Sequence, residues 1–260
     1  MIILDCQQGS TEWIMERLWR LTASEAKSNI SEATGALSSS KAAIGAIDKL
    51  IAGIELAKEM KRRQEELSNL DEWELRKFMS HYVGEVFKGN HHTERGHDLE
   101  NEALAKLSER TGIFFEDVGM CVIGDGSSPG YVSCSPDGIG RNSQNVIITG
   151  GELKNANLAK YNGMVADQEM HPDYKLQVHF SMAVCELESW HFGANFPGKE
   201  IFHKEVKRDA YTDNVAKSIQ GFIRMYADRL TQLQEGYAIL KSQAKRPNIT
   251  KPTSTIESII

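Results

Sequence analysis

The feature that most constrains this chain is a change of hydrophobic period at Gly112. Before it, apolar residues recur at helical spacing. Ile44, Ile47, Leu50, Ile51, Ile54 and Leu56 make one stripe within a helix predicted from Lys41 to about Leu67. Further helices are predicted over Asp71–Phe87 and Glu94–Thr111, the last stopped by Gly112. The N-terminus reads as a short strand (Ile2–Leu4), a polar turn (Gln7–Ser10) and a helix over Glu12–Leu18, with Ser24 as N-cap of the next helix. After Gly112 the apolar residues fall into short runs, and Ile113–Phe115, Gly119–Ile123, Gly130–Cys134 and Val146–Lys154 read as strands. A helix over Lys175–Cys185, strands over Ser189–Phe196 and Glu200–Val206, and a long helix over Thr212–Ser242 follow. That order predicts an α/β fold with a mixed central β-sheet flanked by helices and a helical N-terminal part. We expect a single domain over residues 1–243, with a helical extension at 31–90, a core at about 91–206, a C-terminal helix at 212–242 and a flexible tail at 244–260.

With 260 residues, 40% of them hydrophobic, such a chain can bury a large core without disulfides or structural metals. No apolar run is long enough for a membrane span, and the first residues lack the basic flank and long apolar stretch of a signal peptide. A cytoplasmic location is the expectation. Cys6, Cys121, Cys134 and Cys185 are scattered, with no CxxC pair and no histidine at zinc-ligand spacing. They read as reduced, mostly buried thiols. His91 and His92 read as surface polar residues, and Lys58–Arg63 and Lys245–Lys251 as solvated faces. The net charge of −6 argues only weakly against a nucleic-acid partner, because it says nothing about distribution.

Chemistry concentrates at two places. Asp137 lies in Ser135-Pro136-Asp137-Gly138, where proline and glycine force a turn at the end of a predicted strand. Glu152-Leu153-Lys154 closes the next predicted strand, after fourteen intervening residues. Alternation puts Glu152 and Lys154 on one face and Leu153 on the other. A hairpin joining the two strands would bring Asp137 beside that pair. Paired carboxylates collect Mg²⁺, which polarises a phosphoryl oxygen and lowers the pKa of a bound water. A lysine there offsets carboxylate repulsion and stabilises developing negative charge. Upstream, Glu100 lies on the predicted helix that ends at Thr111 and offers one more carboxylate.

Together these residues form the PD-(D/E)xK pattern, and the chain resembles the phage lambda exonuclease or YqaJ-type viral recombinase family, a branch of those nucleases. The resemblance runs through Trp13-x-x-x-Arg17 with Leu21-Thr22-Ala23-Ser24-Glu25, then Gly96-x-x-x-Glu100-Asn101, Cys134–Gly138, Glu152–Lys154, Gln177–Met182 and Trp190-x-Phe192. It implies a restriction-endonuclease-like core. Asp137, Glu152 and the Leu153 carbonyl would be metal ligands, Lys154 the catalytic lysine and Glu100 the accessory acid. Arg17 and Ser24 would bind the 5′-phosphate of a DNA end, Ser135 and Lys160 would contact DNA, and Gln177 would stand beside the metals. The resemblance further implies two Mg²⁺ per site, replaceable by Mn²⁺, and 5′–3′ exonuclease action on linear double-stranded DNA that releases mononucleotides and leaves 3′ overhangs. A homotrimeric ring, a single-strand annealing protein as partner and a phage or prophage origin in a bacterial cell complete that picture. Two other readings are open: a restriction-like or repair endonuclease on the same core, and a DNA-binding or annealing module without catalysis.

Overall fold

The structure, a computed structural model, describes residues 1–67, 74, 93–124 and 130–243, without the side chains of residues 64, 65, 93–101 and 237–243. The helix expected over Asp71–Phe87, His91, His92 and the tail 244–260 lie outside the described residues.

Nine strands form two mixed sheets among the described residues, where the sequence predicted one. The first has the order β1 (Ile2–Leu4), β4 (Met120–Val122), β5 (Val132–Cys134), β2 (Leu21–Thr22). The second has the order β3 (Phe115–Glu116), β6 (Gly138–Arg141), β7 (Ile147–Asn155), β8 (Ser189–Asn195), β9 (Phe202–Lys207). The expected hairpin is therefore corrected. The strand ending at Cys134 pairs with β4 and β2, whereas the antiparallel partner of β7 is β6, which begins one residue after Asp137. Ser135, Pro136 and Asp137 carry the chain from one sheet to the other.

Helices α1 (Thr11–Arg17) and α2 (Lys41–Arg62) belong to the N-terminal part, with a short turn α3 (Gln64–Leu67) after α2. Ser10 starts α1 by accepting the Trp13 N–H, and Ser40 does the same for α2 with Ala43. Residues Ala23–Ser28 form a 3-10 helix whose cap position is Thr22, so Ser24 does not cap it. Helix α4 (Thr93–Thr111) ends at Gly112, whose φ of +70° is readily reached only without a side chain. Then come α5 (Leu158–Asp167), which the sequence pattern did not predict, α6 (Lys175–Cys185) and α7 (Ala210–Gln243).

β7 runs through the middle of the second sheet between two apolar layers. On one side Leu153 packs with Ala103, Leu107 and Phe115. On the other lies the main core, which includes Trp190, Phe192, Phe180 and, from α7, Phe222 and Tyr226. Gly150 makes this possible, since a Cβ there would come within 2.4 Å of the Trp190 ring. Helix α6 is packed against α7, β5 and the 3-10 helix, and is buried at every position from Val178 to Cys185. A helix held this firmly can fix a polar side chain at its start. Gln177 is that side chain.

Candidate active site

The Asp137 N–H donates to the Gly151 carbonyl at 3.1 Å, extending the β6–β7 ladder by one bond into the turn. The Asp137 Oδ2 accepts the Leu153 N–H at 2.5 Å. Two backbone contacts to β7 thus fix the carboxylate against the strand that carries Glu152 and Lys154. Gln8, in the turn that follows β1, supports the Pro136 turn from outside the second sheet. Its Nε2 donates to the Pro136 carbonyl and to the Val118 carbonyl, each at 2.9 Å. Sequence reading placed Gln8 only in a polar turn, and no local signal pointed to this role.

Glu152 is 2% exposed. Its Oε1 accepts from the Lys154 ammonium and from Gln177 Nε2, the latter at 2.6 Å. Its Oε2 is buried without a hydrogen-bond partner among the described residues. A buried carboxylate oxygen left without a donor is costly unless something else binds it. A hard cation is a fitting partner, and the chemistry of Asp137 and Glu152 as oxygen donors matches Mg²⁺. Burial and the neighbouring Glu152 charge push the Asp137 carboxyl up to about 7. Burial works against the Lys154 ammonium, but Glu152 and Asp137 outweigh it and hold the group above the usual lysine value. Asp117 adds a further negative field at Asp137 and was not singled out in the sequence.

A second constellation adjoins the first. Trp13 and Arg17 are one helical turn apart on α1, and the Arg17 guanidinium lies 4.3 Å from the Trp13 ring centroid. Arg17 donates to the Ser24 hydroxyl at 3.0 Å and to Thr22 at 3.4 Å. Burial lowers its pKa, offset only in part by Glu25. The Trp13 indole N–H donates to the Ser135 hydroxyl at 2.9 Å, two residues from Asp137.

The structure therefore brings together Asp137, Glu152, Leu153, Lys154 and Gln177, and separately Arg17, Ser24 and Ser135. Glu100 belongs to α4, but its side chain lies outside those described. Lys160 stands apart. It sits in the first turn of α5, and its ammonium binds the Asp173 carboxylate at 2.6 Å and lies 5.3 Å from the Tyr174 ring.

The fold is shared with solved structures. An alkaline exonuclease (LHK-Exo) from Laribacter hongkongensis superposes with a TM-score of 0.60 at 19% identity, over 89% of this chain and 100% of that one. LHK-Exo in complex with dAMP gives a TM-score of 0.60 at 18% identity over the same shares. A phage-related exonuclease from Haemophilus somnus 129PT matches at a TM-score of 0.45 and 12% identity, over 86% of this chain and 99% of that one. No curated protein matches. The α/β architecture with two mixed sheets is thus that of LHK-Exo. The model of the YqaJ-like viral recombinase domain matches residues 12–188, more than half of the chain, and the protein belongs to that family.

Proposed function

We propose that this protein is a Mg²⁺-dependent exonuclease that degrades the 5′-ended strand of linear double-stranded DNA to mononucleotides and leaves 3′ single-stranded overhangs. The observation that carries this reading is the Trp13–Ser135 hydrogen bond, which ties the Arg17 group to the turn bearing Asp137. A cationic pocket for a terminal phosphate, fixed beside a carboxylate pair, suits an enzyme that works from an end.

Asp137, Glu152 and the Leu153 carbonyl would hold the metal, with Glu100 as accessory acid. The bound ion supplies Lewis acidity and a water of lowered pKa. Lys154 stabilises negative charge growing on the scissile phosphate and orients the attacking water. Gln177 holds Glu152 through its Oε1 and leaves Oε2 free for the metal. Arg17 and Ser24 bind the 5′-phosphate, and Ser135 and Lys160 contact the DNA backbone, Lys160 after leaving Asp173. Residues 1–243 act as one nuclease domain. The dAMP bound to LHK-Exo is consistent with a mononucleotide product here. Family membership supports a homotrimeric ring, which would confer processivity, and a single-strand annealing partner that takes up the overhang. It also supports a phage or prophage origin and action in the bacterial cytoplasm. Among the described residues no helix is long and apolar enough to cross a membrane.

The test is to incubate 5′-phosphorylated linear duplex, 5′-hydroxyl linear duplex and covalently closed plasmid with Mg²⁺. Loss of the 5′-ended strand, faster with 5′-phosphate, is expected. Cutting of the closed plasmid would instead establish the endonuclease reading.

A further inference from the structure

Three of the four cysteines, separated by 13 and 51 positions in the sequence, converge in the interior. Cys121 and Cys134 face each other across β4 and β5, and Cys185 reaches them from the end of α6. Their sulfur atoms all lie within 4.8 Å of one another, with Cys134 and Cys185 at 3.5 Å. All three residues are buried, and Cys6, the fourth, stands outside the cluster.

We infer that Cys121, Cys134 and Cys185 form a three-sulfur site for a soft d¹⁰ metal ion such as Zn²⁺, separate from the carboxylate site. Thiolates select such ions, whereas Mg²⁺ requires oxygen donors. Sulfurs about 2.3 Å from a tetrahedral ion are about 3.8 Å apart. Here one pair is at 3.5 Å and all three lie within 4.8 Å of one another, so the sulfurs would adjust to bind, and a fourth, non-protein ligand would complete the shell. Three thiolates around a divalent cation leave one net negative charge. Hydrogen bonds from Cys134 and Cys185 hold the Cys121 thiol below its ordinary value, whereas burial pushes the Cys134 thiol up and the hydrogen bond with Cys121 pushes the Cys185 thiol up, so a metal entering the cluster would have to displace the protons of those two. Such an ion would join β4, β5 and α6. Cys134 lies three residues before Asp137, and α6 carries Gln177, so the site would brace both approaches to the carboxylates.

The test uses the full chain, reduced, with excess Mg²⁺ to occupy the carboxylates, titrated with Cd²⁺. A sulfur-to-cadmium charge-transfer band that saturates at one equivalent per chain is expected, retained in Cys6→Ser and lost in Cys121→Ser and in Cys134→Ser. Absence of the band in the wild-type chain, or its loss in Cys6→Ser, overturns the site. Because a buried serine can unfold the chain, X-ray absorption of cadmium in the wild-type protein gives an independent answer. Three sulfur neighbours support the site, and a shell of oxygens refutes it.

Discussion

Trp13 and Ser135, separated by 122 positions in the sequence, are joined by a hydrogen bond of 2.9 Å from indole N–H to hydroxyl. Through it the helix bearing Arg17 and the turn bearing Asp137 hold a common position. Trp13→Phe keeps most of the ring under Arg17 and removes only the N–H. It should lower the rate on 5′-phosphorylated duplex by about tenfold, the kinetic equivalent of one net hydrogen bond, and narrow the preference over 5′-hydroxyl ends. Single-turnover digestion of the two duplexes measures both effects.

Lys154→Ala removes the ammonium from a buried carboxylate. Digestion should fall by a factor of about a thousand, in line with the loss of a preorganised charge at a reacting centre, while duplex binding persists. Stability should also fall in EDTA by about 1–3 kcal/mol, because Glu152 loses a charged donor. Added Mg²⁺ should restore part of that loss. An unchanged digestion rate would remove Lys154 from the site.

Asp137 makes the metal-free protein sensitive to pH. Its folded value of about 7 lies above its ordinary 3.8, so the folded chain keeps a proton that the unfolded chain releases. The stability this contributes is fully present below pH 3.8 and is lost as pH rises to about 7. Denaturant midpoints in EDTA, taken across that window, should show a loss with rising pH that Asp137→Asn abolishes. Mg²⁺ affinity should weaken below pH 7 as protons compete for the same oxygens.

Three histidines act in the opposite sense. Burial lowers the pKa of His179, whose Nδ1 meets the Thr212 hydroxyl at 2.7 Å. It also lowers those of His191 and His203, which share one hydrogen bond of 2.8 Å between their rings. A base lowered on folding contributes stability that is present above its unfolded value of 6.5 and is lost as pH falls through it. His203→Gln should therefore flatten the acid limb of the same denaturation series. An unaltered acid limb would show that the pair plays no part in it.

Gly150→Ala tests the layered packing around β7. Its Cβ would meet the Trp190 ring at 2.4 Å, a contact that requires either the ring or the strand to move. We expect a loss of about 1–3 kcal/mol, the usual cost of overpacking. A shift in tryptophan fluorescence should accompany it.

The local patterns of this chain were more legible than its topology. Asp137, Glu152 and Lys154 stand in short local patterns, and strand alternation correctly placed Glu152 and Lys154 together with Leu153 opposite. β6 escaped because Gly138-Ile139-Gly140 has little intrinsic strand preference. It is a strand because β3 and β7 pair with it and Phe115 occupies the space above its glycines. α5 escaped because Asn162-Gly163 at its middle reads as a turn, yet buried Tyr161 and Met164 hold it as a helix. The cysteine cluster has no local pattern at all, since strand pairing and a distant helix assemble it.

The passage of Ser135–Asp137 between the two sheets has a mechanical consequence. The first sheet holds one end of the passage through Cys134, Gln8 from the turn after β1 holds Pro136, and the second sheet holds Asp137 through Gly151 and Leu153. Because Asp137 travels with β7, shear between the sheets falls on Ser135 and Pro136 and changes the reach from the Arg17 group to the carboxylates. If the proposed exonuclease is right, substitutions that loosen contacts between the sheets should slow digestion from 5′-phosphorylated ends before they unfold the chain.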